Sequence, residues 1–147
     1  MDVKNKRVVV TGAASGIGKA LCEAFHQAEV QSVIAVDMNL EGAQETADSV
    51  HGIAVQANVG NEKDIISVIQ KADEHVGGTD IFCSNAGIGG VPGFFEVAAS
   101  DWQNIWDVNV QSHIFAAKHV LPQMIERGEG YLAVSYTHLR AHETMVD

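Results

Sequence analysis

Glycines at 12, 16 and 18, in the stretch TGAASGIG from Thr11 to Gly18, follow the apolar run Arg7-Val8-Val9-Val10 and lead into a segment with helical periodicity. That spacing suits the holding of a pyrophosphate. Gly12 permits a tight turn off a strand, Gly16 lets backbone come close to a phosphate, and Gly18 lets helix and strand pack closely. A helix starting near Gly16 aims its free N–H groups, that of Ile17 among them, and the positive end of its dipole at the anion, with the Ser15 hydroxyl as a further donor. The plainer reading is a glycine-rich turn joining strand to helix, and the triplet alone does not separate the two. Asp37 ends a second apolar run about twenty residues beyond the turn, where a carboxylate accepts hydrogen bonds from an adenosine ribose and repels a 2′-phosphate. Otherwise it caps the helix that follows. Asn85-Ala86-Gly87 ends a later strand with small residues, as the crevice where strand order reverses requires of a ligand site; a plain turn is the alternative. Asn109 recurs with Trp102, Trp106 and His113 at helical spacing, so it is expected as a lone amide on a largely aromatic face, where it needs partners.

The elements that must position these groups alternate between strand and helix. Arg7 to Thr11 reads as the first strand, and the helix from about Gly16 to Glu29 places Ile17, Leu21, Ala24, Phe25 and Ala28 on one face. Ser32 to Asp37 is a strand buried on both sides, followed by a helix from about Glu41 to Val50 and a third strand from Ile53 to Ala57. Asn61 caps a helix whose stripe is Ile65, Ile69, Ala72 and Val76, and Gly77-Gly78 stops it. Asp80 to Ser84 is a fourth strand, and Ile88 to Phe95 a loop expected to border a substrate. Ser100 and Gln103 form a capping box that opens a long helix, which Pro122 should kink, and Tyr131 to Val134 begins a fifth strand. The fold class is α/β, a Rossmann-type doubly wound parallel sheet with about five strands.

The TGxxxGxG spacing, Asn85-Ala86-Gly87 and Asp107-Val108-Asn109-Val110, in that order, resemble the short-chain dehydrogenase/reductase family over residues 1–134. The resemblance implies NAD-dependent hydride transfer between the nicotinamide and the carbon of an alcohol or ketone. It implies that Gly12, Ser15, Gly16, Ile17, Gly18, Asp37, Asn58, Val59, Asn85, Ala86 and Gly87 hold the cofactor, and that Asn109 joins a proton relay to a catalytic Lys. Asn58 stands where the family has an Asp that takes the adenine amino group; its amide oxygen can still accept that bond, although a turn-forming Asn before Gly60 explains it comparably well. Ser84 stands where the family commonly has another Asn. Ser15 and Met38 supply no basic charge where relatives preferring NADP often do, so the resemblance points to NAD. Full-length relatives are expected to be homo-oligomeric.

Composition narrows the remaining classes. The 147 residues suit one domain, and a net charge of −10 with nine scattered Lys and Arg argues against nucleic acid or an anionic membrane as partner. Cys22 and Cys83 lack CxxC spacing and a secretory context, which suits reduced thiols and a cytoplasmic location. The apolar run near Lys4, Lys6 and Arg7 is too short for a signal peptide, and no stretch is long enough to span a bilayer.

After Val134 the resemblance stops. The family's catalytic Ser falls near position 136 or 137, so Ser135 is out of register, and a YxxxK pair is absent from the chain. Tyr136 with Arg140 imitates it in the wrong place, since the pair follows the fifth strand directly, and Arg is too basic to do what the Lys does. His138 and His142 with Glu143 imitate a metal site, but two ligands in a terminal segment are weak support and no metal is expected. Residues 135–147, SYTHLRAHETMVD, are expected to be disordered or artefactual, because SYTHLRAHET resembles translated adaptor or vector sequence fused to a truncated frame. A chain of this kind is either a catalytically incomplete oxidoreductase or a noncatalytic NAD-binding fragment or regulatory half-domain. DNA sequencing across codon 135 of the genomic locus should show the frame leaving this sequence there; an unbroken natural frame would refute the fusion.

Overall fold

The alternating pattern closes into one parallel sheet in a computed structural model, which describes residues 2–89 and 97–135. Strands β1 (Arg7–Thr11), β2 (Ser32–Asp37), β3 (Ile53–Gln56), β4 (Ile81–Ser84) and β5 (Tyr131–Val134) lie in the order β3-β2-β1-β4-β5. Every neighbouring pair is parallel. Between them run α1 (Gly16–Gln27), α2 (Leu40–Ser49), α3 (Glu62–Val76), α4 (Ala99–Trp106) and α5 (Ser112–Arg127), with a π-helical turn at Asp107–Gln111 joining the last two. Among the described residues, no helix is long and apolar enough to cross a membrane.

Strand pleating sorts the apolar residues into two cores. Val9, Ile34, Val36 and Phe82 point to one face and meet Ile65, Val68, Ile69 and Ala72 of α3 and Ala116, Val120 and Met124 of α5. Val8, Val10, Val33, Ala35, Ile81 and Cys83 point to the other and meet Cys22 of α1 and Ala47 of α2. This two-sided burial is why β1 and β2 read as continuous apolar runs. Fully burying one Val, Ile or Phe side chain is worth about 1.5–3 kcal/mol, so these central strands anchor the fold. Asn61 caps α3 by accepting from the Lys63 N–H at 3.0 Å. The helix ends at left-handed Gly77, with the Gly78 N–H donating to the Ala72 carbonyl, as the glycine pair implies.

Three expectations need correction. On α1, Gly18, Leu21, Cys22 and Phe25 turn toward the sheet, whereas Ile17, Ala24 and Ala28 are exposed. The stripe is rotated by about one residue because Gly18, not Ile17, is pressed against the glycine turn. The capping box at Ser100 does not form, since α4 is capped two residues earlier at Ala98, whose N–H donates to the Asp101 carboxylate at 3.2 Å. The aromatic face also does not form. The π-helical turn advances the chain by an extra residue, leaving Trp102 and Trp106 about half exposed while Asn109 and His113 face a cavity. Pro122 lies inside α5, which continues to Arg127.

At the edge of the sheet away from the strands' carboxyl ends, Asp80 precedes β4 and is held by Arg7. The Arg7 backbone N–H and Nε donate to Asp80 Oδ2 at 2.9 and 2.7 Å, and Nη2 donates to Oδ1 at 2.6 Å. Arg127 stands 3.6 Å from the same carboxylate. The hydrogen bonds from Arg7 are the main cause that draws the Asp80 pKa down to about 2, against the opposing effect of burial. A carboxyl with a depressed folded-state pKa contributes stability above its unfolded pKa and loses it as pH falls through the folded value. Asp80→Asn should therefore lower stability at neutral pH by about 2 kcal/mol. Urea unfolding should show the gap between parent and variant narrowing between about pH 4 and pH 2; a gap independent of pH would contradict the assignment.

Candidate functional site

At the carboxyl ends of the strands, β1 turns sharply at Gly12, whose φ is +71°. A Cβ on Gly18 would lie 2.0 Å from the Gly12 carbonyl oxygen and 2.8 Å from Asn85 Nδ2. Gly18 is thus required by backbone packing. Gly16 differs, since its φ is +54° and a Cβ there would meet nothing within 4 Å. The space in front of it is open, as a phosphate cradle needs. Ser15 is the N-cap residue of α1, and its hydroxyl makes no capping bond within the helix.

The turn is held from three sides. Ala14 donates its N–H to Asp37 Oδ2 at 3.0 Å, and the Asn39 N–H donates to Asp37 Oδ1 at 2.9 Å. Asp37 therefore shapes the turn as well as lining the cavity. It does not cap α2, because Asn39 does so by accepting from the Gly42 N–H. Thr46 donates from its hydroxyl to the Ala13 carbonyl at 2.8 Å. On the other side, buried Thr11 accepts at Oγ1 from the N–H groups of Asn85 (2.9 Å) and Ala86 (3.0 Å), while its own carbonyl accepts from Asn85 Nδ2 at 2.9 Å. Asn85 Oδ1 accepts from the Ser135 hydroxyl at 2.7 Å, so one amide ties β1, β4 and the end of β5 together.

These residues enclose a cleft of about 460 Å³ that runs from Asp37, Met38 and Asn58 past Ser15, Gly16 and Ile17 to Asn85, Ala86, Gly87 and Ile88. It opens beside the β1–β4 junction, where the sheet order reverses. Val59 lines the cleft with Asn58, whose side-chain oxygen accepts from the Gly60 N–H at 3.0 Å. The turn-forming role of Asn58 is thus present whatever else it binds.

A second cavity, of about 740 Å³, shares the wall formed by Ile17 and residues 85–88 and continues to Asn109, His113, Val134 and Ser135. Asn109 clamps the loop after Gly87 from both sides, accepting from the Ile88 N–H and donating to the Ile88 carbonyl, both at 2.9 Å. Its side chain is satisfied by that clamp. His113 Nδ1 lies 2.6 Å from the buried Ser84 hydroxyl. Burial pushes the His113 pKa down, opposed by its hydrogen bond to the Asn109 backbone carbonyl. Cys22 and Cys83 are buried, and burial raises their pKa values to about 12 and about 11, which suits inert thiols. Among the described residues, no group of three His, Cys, Asp or Glu could hold a metal ion. Most of the loop expected to border a substrate, together with Tyr136, His138, Arg140, His142 and Glu143, lies outside the described residues.

Three contributors escape the sequence reading. Thr11 is a polar residue ending an apolar strand, a signal that was available. Ser84 and His113 are separated by 29 positions and are paired only by the fold.

A doubly wound sheet with a glycine-lined cleft at its switch point, a positive-φ turn and an acid at the end of β2 defines a Rossmann-type α/β domain. The family model for short chain dehydrogenase matches residues 6–134, and the chain belongs to that oxidoreductase family. It is 33% identical over 131 residues to glucose 1-dehydrogenase 2 of Bacillus subtilis (strain 168), covering 85% of this chain and 51% of that protein. To 1-deoxy-11-beta-hydroxypentalenate dehydrogenase of Streptomyces exfoliatus it is 33% identical over 134 residues, 87% of this chain and 49% of that one. The crystal structure of a hydroxysteroid dehydrogenase from Escherichia coli superposes with a TM-score of 0.83 at 28% identity, covering 90% of this chain and 55% of that one. A short chain dehydrogenase/reductase from Burkholderia phymatum, solved in complex with NAD, shares the fold with a TM-score of 0.86 at 24% identity over 91% of this chain and 50% of that one. The chain spans about half the length of these relatives.

Thr11→Val keeps the shape of the strand end but leaves two N–H groups without their acceptor. It should cost about 2 kcal/mol in chemical unfolding. Loss of less than about 0.5 kcal/mol would mean that Thr11 does not hold Asn85 and Ala86 in place.

Proposed function

We propose that the chain is the NAD-binding part of a short-chain dehydrogenase/reductase that moves hydride between NAD(H) and an alcohol or ketone, and that the chain as it stands is catalytically incomplete. The observation that carries the cofactor reading is the Asp37 carboxylate on the wall of a cleft that no basic side chain lines among the described residues. The cleft fits the cofactor: Gly16 leaves open space where a pyrophosphate approaches, and the start of α1 offers its N–H groups there. Asp37 accepts the ribose hydroxyls and disfavours a phosphate on them. Asn58 and Val59 border the adenine end, while Asn85, Ala86 and Gly87 border the other. When bound, the nicotinamide supplies the hydride.

The chain's own residues supply orientation. Asn109 holds the loop at Ile88 against the cleft, and Ser135 is spent on Asn85. Among the described residues, His113 is the titratable side chain lining the second cavity; burial opposes its protonation, and its Nδ1 is engaged by Ser84. A noncatalytic NAD-binding fragment is the second reading, favoured by the lack of a Tyr–Lys pair in the sequence. The cytoplasmic location and the homo-oligomeric state of full-length relatives remain part of the same proposal.

Two measurements test this reading. By calorimetry, NAD should bind at least about tenfold more tightly than NADP, and Asp37→Asn, which keeps an acceptor for Ala14 but removes the charge, should narrow that ratio. Equal affinities in the parent would rule out the role of Asp37. In assays of NADH oxidation with a panel of ketones, the chain should show no turnover, since general acid–base help alone is worth about two to four orders of magnitude. Turnover abolished by Tyr136→Phe would overturn the claim of incompleteness.

A further inference from the structure

The second cavity contains a group that the proposed chemistry does not use. His113 projects from the first turn of α5, immediately after the π-helical turn, and lines the cavity with Asn109, Ser135 and the wall of residues 85–88. Ser84 is buried, and among the described residues His113 Nδ1 is the one partner of its hydroxyl. The imidazole is therefore held in place at Nδ1 by Ser84, with the Asn109 backbone carbonyl as a further partner. Charged groups on the surrounding elements are engaged elsewhere. Asp107 accepts from Gln103 and Gln111, and Asp101 accepts from Ala98. Further along α5, Lys118 and His119 pair with Glu62 of α3. Asp80 before β4 pairs with Arg7 and Arg127, and Glu129 before β5 pairs with Lys6. No charged side chain lines the cavity among the described residues. Protonation of His113 would thus introduce a positive charge that no charged side chain among the described lining residues offsets.

The wall shared by the two cavities sets what that charge would face. With Asp37 taking the adenosine ribose, the far end of the cleft, at Ala86, Gly87 and Ile88, receives the nicotinamide. The oxidised ring carries a positive charge and the reduced ring does not. We propose that His113, held by Ser84, sets the site's preference between the two redox forms of the cofactor: neutral, it accepts either form, and protonated, it disfavours NAD+ relative to NADH. This rests on the cofactor reading given above. Burial opposes that protonation, and the hydrogen bond to the Asn109 backbone carbonyl favours it.

The test is calorimetric titration of the chain with NAD+, NADH and ADP-ribose at about pH 8 and about pH 5, the two ends of the imidazole range. The ratio of NAD+ to NADH affinity should fall about three- to tenfold at the lower pH, the effect of one unit charge on another across a partly solvated cavity. ADP-ribose, which lacks the ring, should not follow that fall. In His113→Gln the ratio should be the same at both pH values. The parent gives a check that needs no variant, because the midpoint of the fall should coincide with the His113 imidazole titration followed by NMR. A ratio unchanged with pH in the parent overturns the proposal, as does a fall that persists in His113→Gln or has a different midpoint. If ADP-ribose binds while the ratio stays flat, only this proposal fails; if none of the three ligands binds, the cofactor reading fails with it.

Discussion

The approach of the Gly18 backbone to the Gly12 carbonyl is the constraint on which the rest of the site depends. A Cβ at residue 18 would stand 2.0 Å from that oxygen, so any side chain would push α1 away from β1. With α1 in contact, the turn must bend through a positive φ at Gly12, and Gly16 is brought to the open mouth of the cleft. The same contact decides which side of α1 turns inward. Leu21, Cys22 and Phe25 lie on the side continuous with Gly18, and Ile17 is left at the cleft, where it serves both cavities. Packing and ligand geometry here have one cause.

The opposite wall is built by hydrogen bonds instead of close packing. Thr11 accepts three bonds across the β1–β4 junction, two from Asn85 and one from Ala86, and Ser135 adds a fourth to Asn85. In a buried setting each unmade bond would cost more than each made bond contributes, so the network defines one arrangement of strand ends. The π-helical turn extends this order to the helix side. It rotates α5 relative to α4, so that Asn109 meets Ile88 and His113 meets Ser84, while the two tryptophans stay outside. A continuous α-helix could not place both sets in these positions, which is a physical reason for the irregular hydrogen bonding.

Much of this was legible in the sequence because short-range rules govern it. The strand β5 from Tyr131 to Val134, the Asn61 cap and the Gly77 stop each follow from a few adjacent residues whose preferences agree with the fold. The glycine triplet and Asp37 were likewise readable, since turn chemistry and spacing are local. What was not legible depends on tertiary register. Helical periodicity gives a stripe but not its rotation to within one residue, hence the misplacement of Ile17. A capping box at Ser100 satisfies the pattern as well as Asp101 capping Ala98 does, and only the path of the chain into α4 chooses between them. The extra residue in the π-helical turn carries no compositional mark, so the partition between Asn109 and the tryptophans could not be read from spacing.

The two faces of the sheet are not equally finished, and this bears on how the domain behaves. On one face α3 and α5 cover β1, β2 and β4, with Phe82 and Val120 fully buried. On the other, α1 and α2 cover β1 and β2, whereas Phe25, Leu21, Ala133 and Val134 line an open apolar depression of about 470 Å³ beside β4 and β5. Tyr131 is 58% and Val134 45% exposed, and β5 pairs with β4 alone among the described strands. An exposed parallel edge with a half-covered face is both a weak place in the core and a template for pairing with other chains. The glycine-lined cleft is insulated from that weakness on its Asp37 side, where α2 and the turn are locked by Thr46, Asp37 and Asn39. It is coupled to it on the opposite side, where Asn85 and Ser135 link the cleft to the end of the edge strand. The cleft is therefore best protected at its Asp37 end, and fraying of β5 loosens first the wall around Asn85.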